Sequence, residues 1–132
     1  EVPPVVTGDR LSRFDRGLGR RMWYNSRGNP GTVATVIQTF PAFRQPNLWR
    51  GVGVGVGYVG GCDLKKLTDL TRQSSIFCDE LADGIALAFI ARRLSNTITP
   101  YLQLASEVIC KKNLEEMIQS EKEVIEKVRD DI

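Results

Sequence analysis

An all-α fold is predicted by three features of this 132-residue chain. Apolar residues recur at three- and four-residue spacing over most of its length, as one face of a helix requires. Helix-start chemistry stands ahead of those stripes at Asp63, at Thr99 with Pro100, and at Asn113. No segment has a convincing partner for a sheet, and a lone strand leaves its backbone groups unpaired. The expected architecture is a compact bundle of five to seven helices with an extended N-terminal arm.

Residues 1–11 read as that arm, proline-containing and without an apolar face of its own, and residues 12–132 as a single helical domain. The first helix is expected over Ser12 to Asn25, where Phe14, Leu18, Met22 and Trp23 form the stripe and most arginines lie elsewhere. Gly17 and Gly19 weaken it by about 1 kcal/mol each but leave room for a close neighbour. Thr32 to Phe40 follows, with Val33, Val36, Ile37 and Phe40 on one face, and Pro41 ends it.

The tract from Gly51 to Tyr58 alternates strictly between glycine and larger residues. As a strand it would put Val52, Val54, Val56 and Tyr58 on one face and bare glycine on the other. As a helix it would align Trp49, Gly53, Gly57 and Gly61 at four-residue steps, a groove into which another helix can press its backbone. Composition favours the strand and the neighbouring helical signals favour the helix, so both stay open for residues 50–60. Gly53, Gly57, Tyr58 and Gly61 are the candidates for helix packing or for a ligand groove.

Beyond it the signals are clearer. Asp63 is an N-cap for a helix bearing Leu64, Leu67 and Leu70, with Lys65 and Lys66 turned to water. Ser75 to Leu94 should be the central buried helix, because Ile85 to Ala91 is apolar all round; Phe77, Leu81, Ile85 and Ala88 share a face. Thr99 caps a helix with Pro100 at its first position. Residues 112–132 read as an acidic amphipathic terminal helix opened by a capping box at Asn113. Its apolar side carries Leu114, Met117, Ile118, Val124, Ile125 and Val128.

Composition restricts function more than it reveals it. With 42% hydrophobic and 26% charged residues the chain suits one compact domain, and no segment approaches the ~20 apolar residues that cross a bilayer. There is no histidine, which removes the commonest proton shuttle and zinc ligand. Cys62, Cys78 and Cys110 are too far apart in sequence for a metal-gripping or thiol-exchange pair. They read as buried thiols, against one disulfide with a leftover thiol or a reactive nucleophile. Residues 55–60 match G-x-G-x-x-G, but no hydrophobic strand precedes them, so nucleotide binding is not expected. Asp79, Glu80 and Asp83 cluster as first-turn acids do at any helix start. No cofactor, metal ligand or catalytic residue is assigned.

Charge is distributed unevenly. Residues 1–62 hold eight arginines, no lysine and three acids, and residues 63–132 carry a net charge of −3. Arginine offers a planar fork of donors suited to anionic groups, so the first half is expected to face an anionic or carboxylate-rich partner through Arg16, Arg20, Arg21, Trp23, Trp49 and Arg50. The predicted role is a non-catalytic helical accessory protein, a small structural subunit that docks into a larger complex of other protein subunits, membrane-associated or not. The small net charge of +2 argues against nucleic acid. The chain starts at Glu1 with no initiator methionine, which reads as a processed or trimmed end compatible with an organelle or export route, and leaves the compartment open.

Several segments in order carry a family likeness: residues 14–24, Phe40 to Arg44, Leu48 to Gly53 with Tyr58 to Gly61, Glu80 to Ala86, and Asn96 to Ala105. Over about residues 14–110 the chain resembles the domain-of-unknown-function family number 1702, bacterial proteins linked to enediyne polyketide gene clusters. The resemblance implies a helical accessory protein. Its alternative is an accessory protein or enzyme of polyketide biosynthesis that binds a hydrophobic ligand. Members are longer, which implies a portion of such a protein or a shortened relative with its own tail from Asn113. Where members tend to carry histidine after the Thr-Pro pair, this chain has Tyr101.

Overall fold

The computed structural model describes residues 8–59 and 62–128, apart from the side chain of Asp9. Every regular element among the described residues is helical: α1 (Gly8–Asn25), α2 (Pro30–Gln38), α3 (Gln45–Tyr58), α4 (Leu64–Ser74), α5 (Cys78–Leu94), α6 (Pro100–Ala105), α7 (Leu114–Gln119) and α8 (Glu121–Val128). A π-helical stretch, Ser106–Cys110, continues α6, and single 3-10 turns lead into α3 and α5. The terminal helix expected as one piece is divided at Ser120 into α7 and α8. Counted as one, they bring the total among the described residues to seven helices. No helix there is long and apolar enough to cross a membrane.

Caps act where the sequence placed them. Asp63 accepts the Lys66 amide, Thr99 accepts that of Leu102, and Asn113 with Glu116 closes a reciprocal capping box. Asn29 also caps α2 with Pro30 in its first turn, so that helix starts two residues before Thr32 and ends at Gln38. Helix α1 begins at Gly8, not Ser12. Gly8 to Leu11 are therefore helical and correct the expected arm boundary; half-buried Leu11 adds to the apolar side that continues through Phe14 and Leu18. The rest of the arm, residues 1–7, lies outside the described residues.

The glycine tract is helical. Helix α3 lies between α1 and α5 and makes most of its contacts with these two. On a helix, positions two apart are about 200° around the axis from each other, and positions four apart return to the same side. Strict alternation therefore produces two glycine stripes on opposite sides of one helix. Gly51 and Gly55 face α1, where a Cβ on Gly51 would overlap the Arg16 carbonyl and one on Gly55 would stand 3.1 Å from the Trp23 ring. Gly53 and Gly57 face α5, where added methyl groups would overlap the Leu81 carbonyl and the Ala88 side chain. Gly19 of α1 and Gly84 of α5 reciprocate at Leu48 and Arg50. Two glycine pairs, Gly19 with Gly51 and Gly53 with Gly84, thus form backbone-to-backbone crossings of the kind small residues permit.

Between the stripes, Val52 and Val56 point into the core and are fully buried. The other side of α5 is covered by the π-helical stretch, α7 and α8, and α4 packs on α2 and the π-helical stretch. Leu67, Leu70, Leu81, Ile85, Phe89, Leu102 and Met117 fill the interior with large side chains. Of the six apolar residues expected on one side of the terminal helix, Met117, Val124 and Val128 are buried, while Leu114, Ile118 and Ile125 are each at least 40% exposed. The buried positions 117, 120, 124 and 128 keep three- and four-residue spacing across the break at Ser120, so one narrow stripe faces the core and the apolar residues beside it, Ile118 and Ile125, turn outward.

Candidate functional site

Helix α1 turns its buried side to α3 and leaves an outer face of cations. Arg10, Arg13, Arg20 and Arg21 are exposed along it, as is Arg27 just beyond its end. Positions 10, 13, 17, 20, 24 and 27 follow one side of a helix; there Gly17 is bare and Tyr24 is the aromatic. Asp15 is 1% exposed, with Arg44 gripping both carboxylate oxygens at 2.6 and 3.1 Å. That acid is spent on fastening α1 to the turn before α3 and does not neutralise the outer face.

A stack of planar groups extends this face. The Arg20 guanidinium lies over the Tyr24 ring at 5.6 Å and the Tyr58 ring at 5.1 Å, and donates to the Tyr24 hydroxyl at 2.9 Å. Arg92 of α5 lies 5.4 Å from the Tyr58 ring and donates to the Tyr58 carbonyl at 2.9 Å. Tyr58 thus bridges an arginine of α1 and an arginine of α5, each attracted to the electron-rich ring. The positive charge of Arg92 also sits at the C-terminus of α3, where the helix dipole favours it.

Of the expected interface residues, Arg20 and Arg21 are on this exposed face, and Arg16 is half-buried beside the Gly51 crossing. Three need correction. Trp23 and Trp49 are 2% and 3% exposed, parts of the core with no ring face for a partner. Arg50 is turned inward, donating to Asp83 at 3.3 Å and to Asn47 at 2.9 Å, while Lys127 reaches the other Asp83 oxygen at 3.1 Å. An arginine beside a tryptophan in sequence says nothing about which of them the fold buries; here burial takes the tryptophans. Among the groove candidates, Gly53 and Gly57 are filled by α5, Tyr58 lies in the arginine stack, and Gly61 lies outside the described residues.

The thiols are free and two are displaced from ordinary acidity. Burial pushes Cys110 up to about 12, and its sulfur donates to the Ala82 carbonyl at 3.5 Å. Burial also raises Cys62, which the neighbouring Tyr101 hydroxyl and the Lys66 charge partly offset. The Tyr101 hydroxyl donates to the Val56 carbonyl, and burial pushes its own ionisation upward. Tyr101 therefore ties α6 to α3. Protonated thiols are poor nucleophiles. Asp83 is held by Arg50 and Lys127, and among the described residues no three of Cys, Asp and Glu converge as metal ligands. Residues 55–58 of the G-x-G-x-x-G match lie inside α3, far from the strand-to-helix turn that phosphate binding through that pattern needs.

A cleft of about 720 Å³ opens between the α1–α2 turn and α4. Arg27, Lys65, Lys66 and Arg72 supply its cations, and Asp63 and Asp69 its acids. Arg27 occupies the left-handed position of the turn that closes α1, where the Gly28 amide bonds the Trp23 carbonyl at 3.0 Å and its own amide bonds that of Tyr24 at 3.0 Å. Sequence reasoning missed this site. The cap at Asp63 was legible, the one at Asn29 was not, and nothing local brings two helix starts 34 positions apart to one cleft.

The sequence matches the family described as protein of unknown function (DUF1702) over residues 9–131. The match extends well past Cys110 and takes in α7 and α8, so the terminal segment is shared with the family and is not an addition of this chain's own. No curated protein and no solved structure matches the chain. The chain belongs to the DUF1702 family.

Proposed function

From the surface of α1, we propose that this chain is a non-catalytic accessory protein that docks onto an acidic protein partner through its arginine face. The observation that carries the reading is the one-sided charge of α1: every exposed, described charged side chain on it is an arginine, and Asp15 is buried against Arg44. Arginine forks pair with carboxylates in two-point contacts, and stacking on Tyr24 and Tyr58 holds Arg20 ready at lower entropic cost than a loose side chain. Opposite charge on the partner would steer the encounter and fix the register.

In native extract the wild-type chain should migrate in an assembly larger than itself, and Arg20→Glu combined with Arg21→Glu should release it. A wild-type chain that runs as a free monomer overturns the proposal. A hydrophobic-ligand role in polyketide biosynthesis rests on the gene-cluster association alone, and the groove it would use at Gly53 and Gly57 is taken by α5.

A further inference from the structure

Away from the docking face, we propose that the cleft between the α1–α2 turn and α4 is a binding site for an organic diphosphate. Its volume of about 720 Å³ suits an organic molecule carrying an anionic group and exceeds what a lone ion needs. Four cations line it against two acids, a net charge of +2. Asp69 is paired with Arg72 on its own helix, and the Asp63 carboxylate accepts the Lys66 amide at 2.8 Å. Arg27, Lys65 and Lys66 have no ion-pair partner among the described residues.

Three uncommitted cations from two separate elements around one concavity match a ligand with charge spread over two adjacent phosphoryl groups better than a single carboxylate. A concave wall also concentrates potential that a convex surface loses to solvent. Lysine binds phosphate as a point charge and arginine as a fork, so the set combines both modes. The start of α2, 9 residues long and capped by the neutral Asn29 side chain, lies at the rim and adds partial positive charge. The Lys66 nitrogen lies near Gly28, 3.7 Å from where a Cβ would stand, so it spans the cleft from α4 toward the opposite wall.

The test is calorimetric titration of the full chain with inorganic pyrophosphate. Saturable binding is expected, weakened about a hundredfold by Lys65→Gln with Lys66→Gln, since each lost charge-assisted contact is worth about tenfold. Arg20→Gln with Arg21→Gln removes the same charge outside the cleft and should change affinity by less than about twofold. Should the lysine double variant not fold, exposed Lys65→Gln alone gives the same comparison with a smaller loss. A parallel titration with vesicles carrying a lipid diphosphate separates the sources: much tighter binding than to pyrophosphate assigns a membrane headgroup, and comparable or weaker binding a free diphosphate. Absence of saturable pyrophosphate binding, or equal weakening by both pairs of substitutions, overturns the site. Because the Arg20 and Arg21 substitutions disrupt docking but spare the cleft, either proposal can fail alone.

Discussion

Two halves of the interior are held together by opposite means. Between α1, α3 and α5, cohesion comes from side chains that are missing: glycines let helix backbones touch at the Gly19–Gly51 and Gly53–Gly84 crossings. Around α4 and α6 to α8 it comes from side chains that are large, with Leu67, Leu70, Leu102 and Met117 almost wholly buried. Glycine disfavours each helix by about 1 kcal/mol per position in isolation, so the first region is stable only as an assembly of three helices. In the second, amphipathic stripes and caps already favour each helix before it packs. A tightly matched backbone contact tolerates no added atom, whereas a side-chain core can rearrange rotamers around a change of shape.

Adding one methyl group should separate the two halves most clearly. Gly53→Ala drives a Cβ into the Leu81 backbone, which has no rotamer to change, and should cost about 3 kcal/mol or more by chemical denaturation. A loss under about 1 kcal/mol would mean that the crossing is looser than the geometry states. In the other half, Leu67→Met preserves volume at a site with no exposure and should cost only about 1 kcal/mol in the same assay. A cost equal to that of Gly53→Ala would erase the distinction. The smallest effect has the opposite sign: Gly17, two residues from Gly19 on the same helix, has no atom within 4 Å of its missing Cβ. Gly17→Ala should stabilise the chain by somewhat under 1 kcal/mol, because only helix propensity changes there.

The candidate site divides along the same line. Arg20 and Arg21 were legible as exposed because they fall between the apolar positions of α1, and periodicity reports which side of a helix faces out. Trp23, Trp49 and Arg50 were misplaced because adjacency in sequence does not say which neighbour the fold buries. The cleft was invisible: Arg27 and Lys65 lie on elements whose meeting depends on how α2 and α4 pack.

By itself the sequence determined the helical class, the caps at Asp63, Thr99 and Asn113, and the absence of any imidazole, since these depend on spacing and residue chemistry within a few positions. Only the tertiary structure decided that alternating glycine and valine wind into a helix. Period two is satisfied equally by the faces of a strand and by opposite sides of a helix, and the backbones of α1 and α5 pressing on both glycine stripes of α3 select the second.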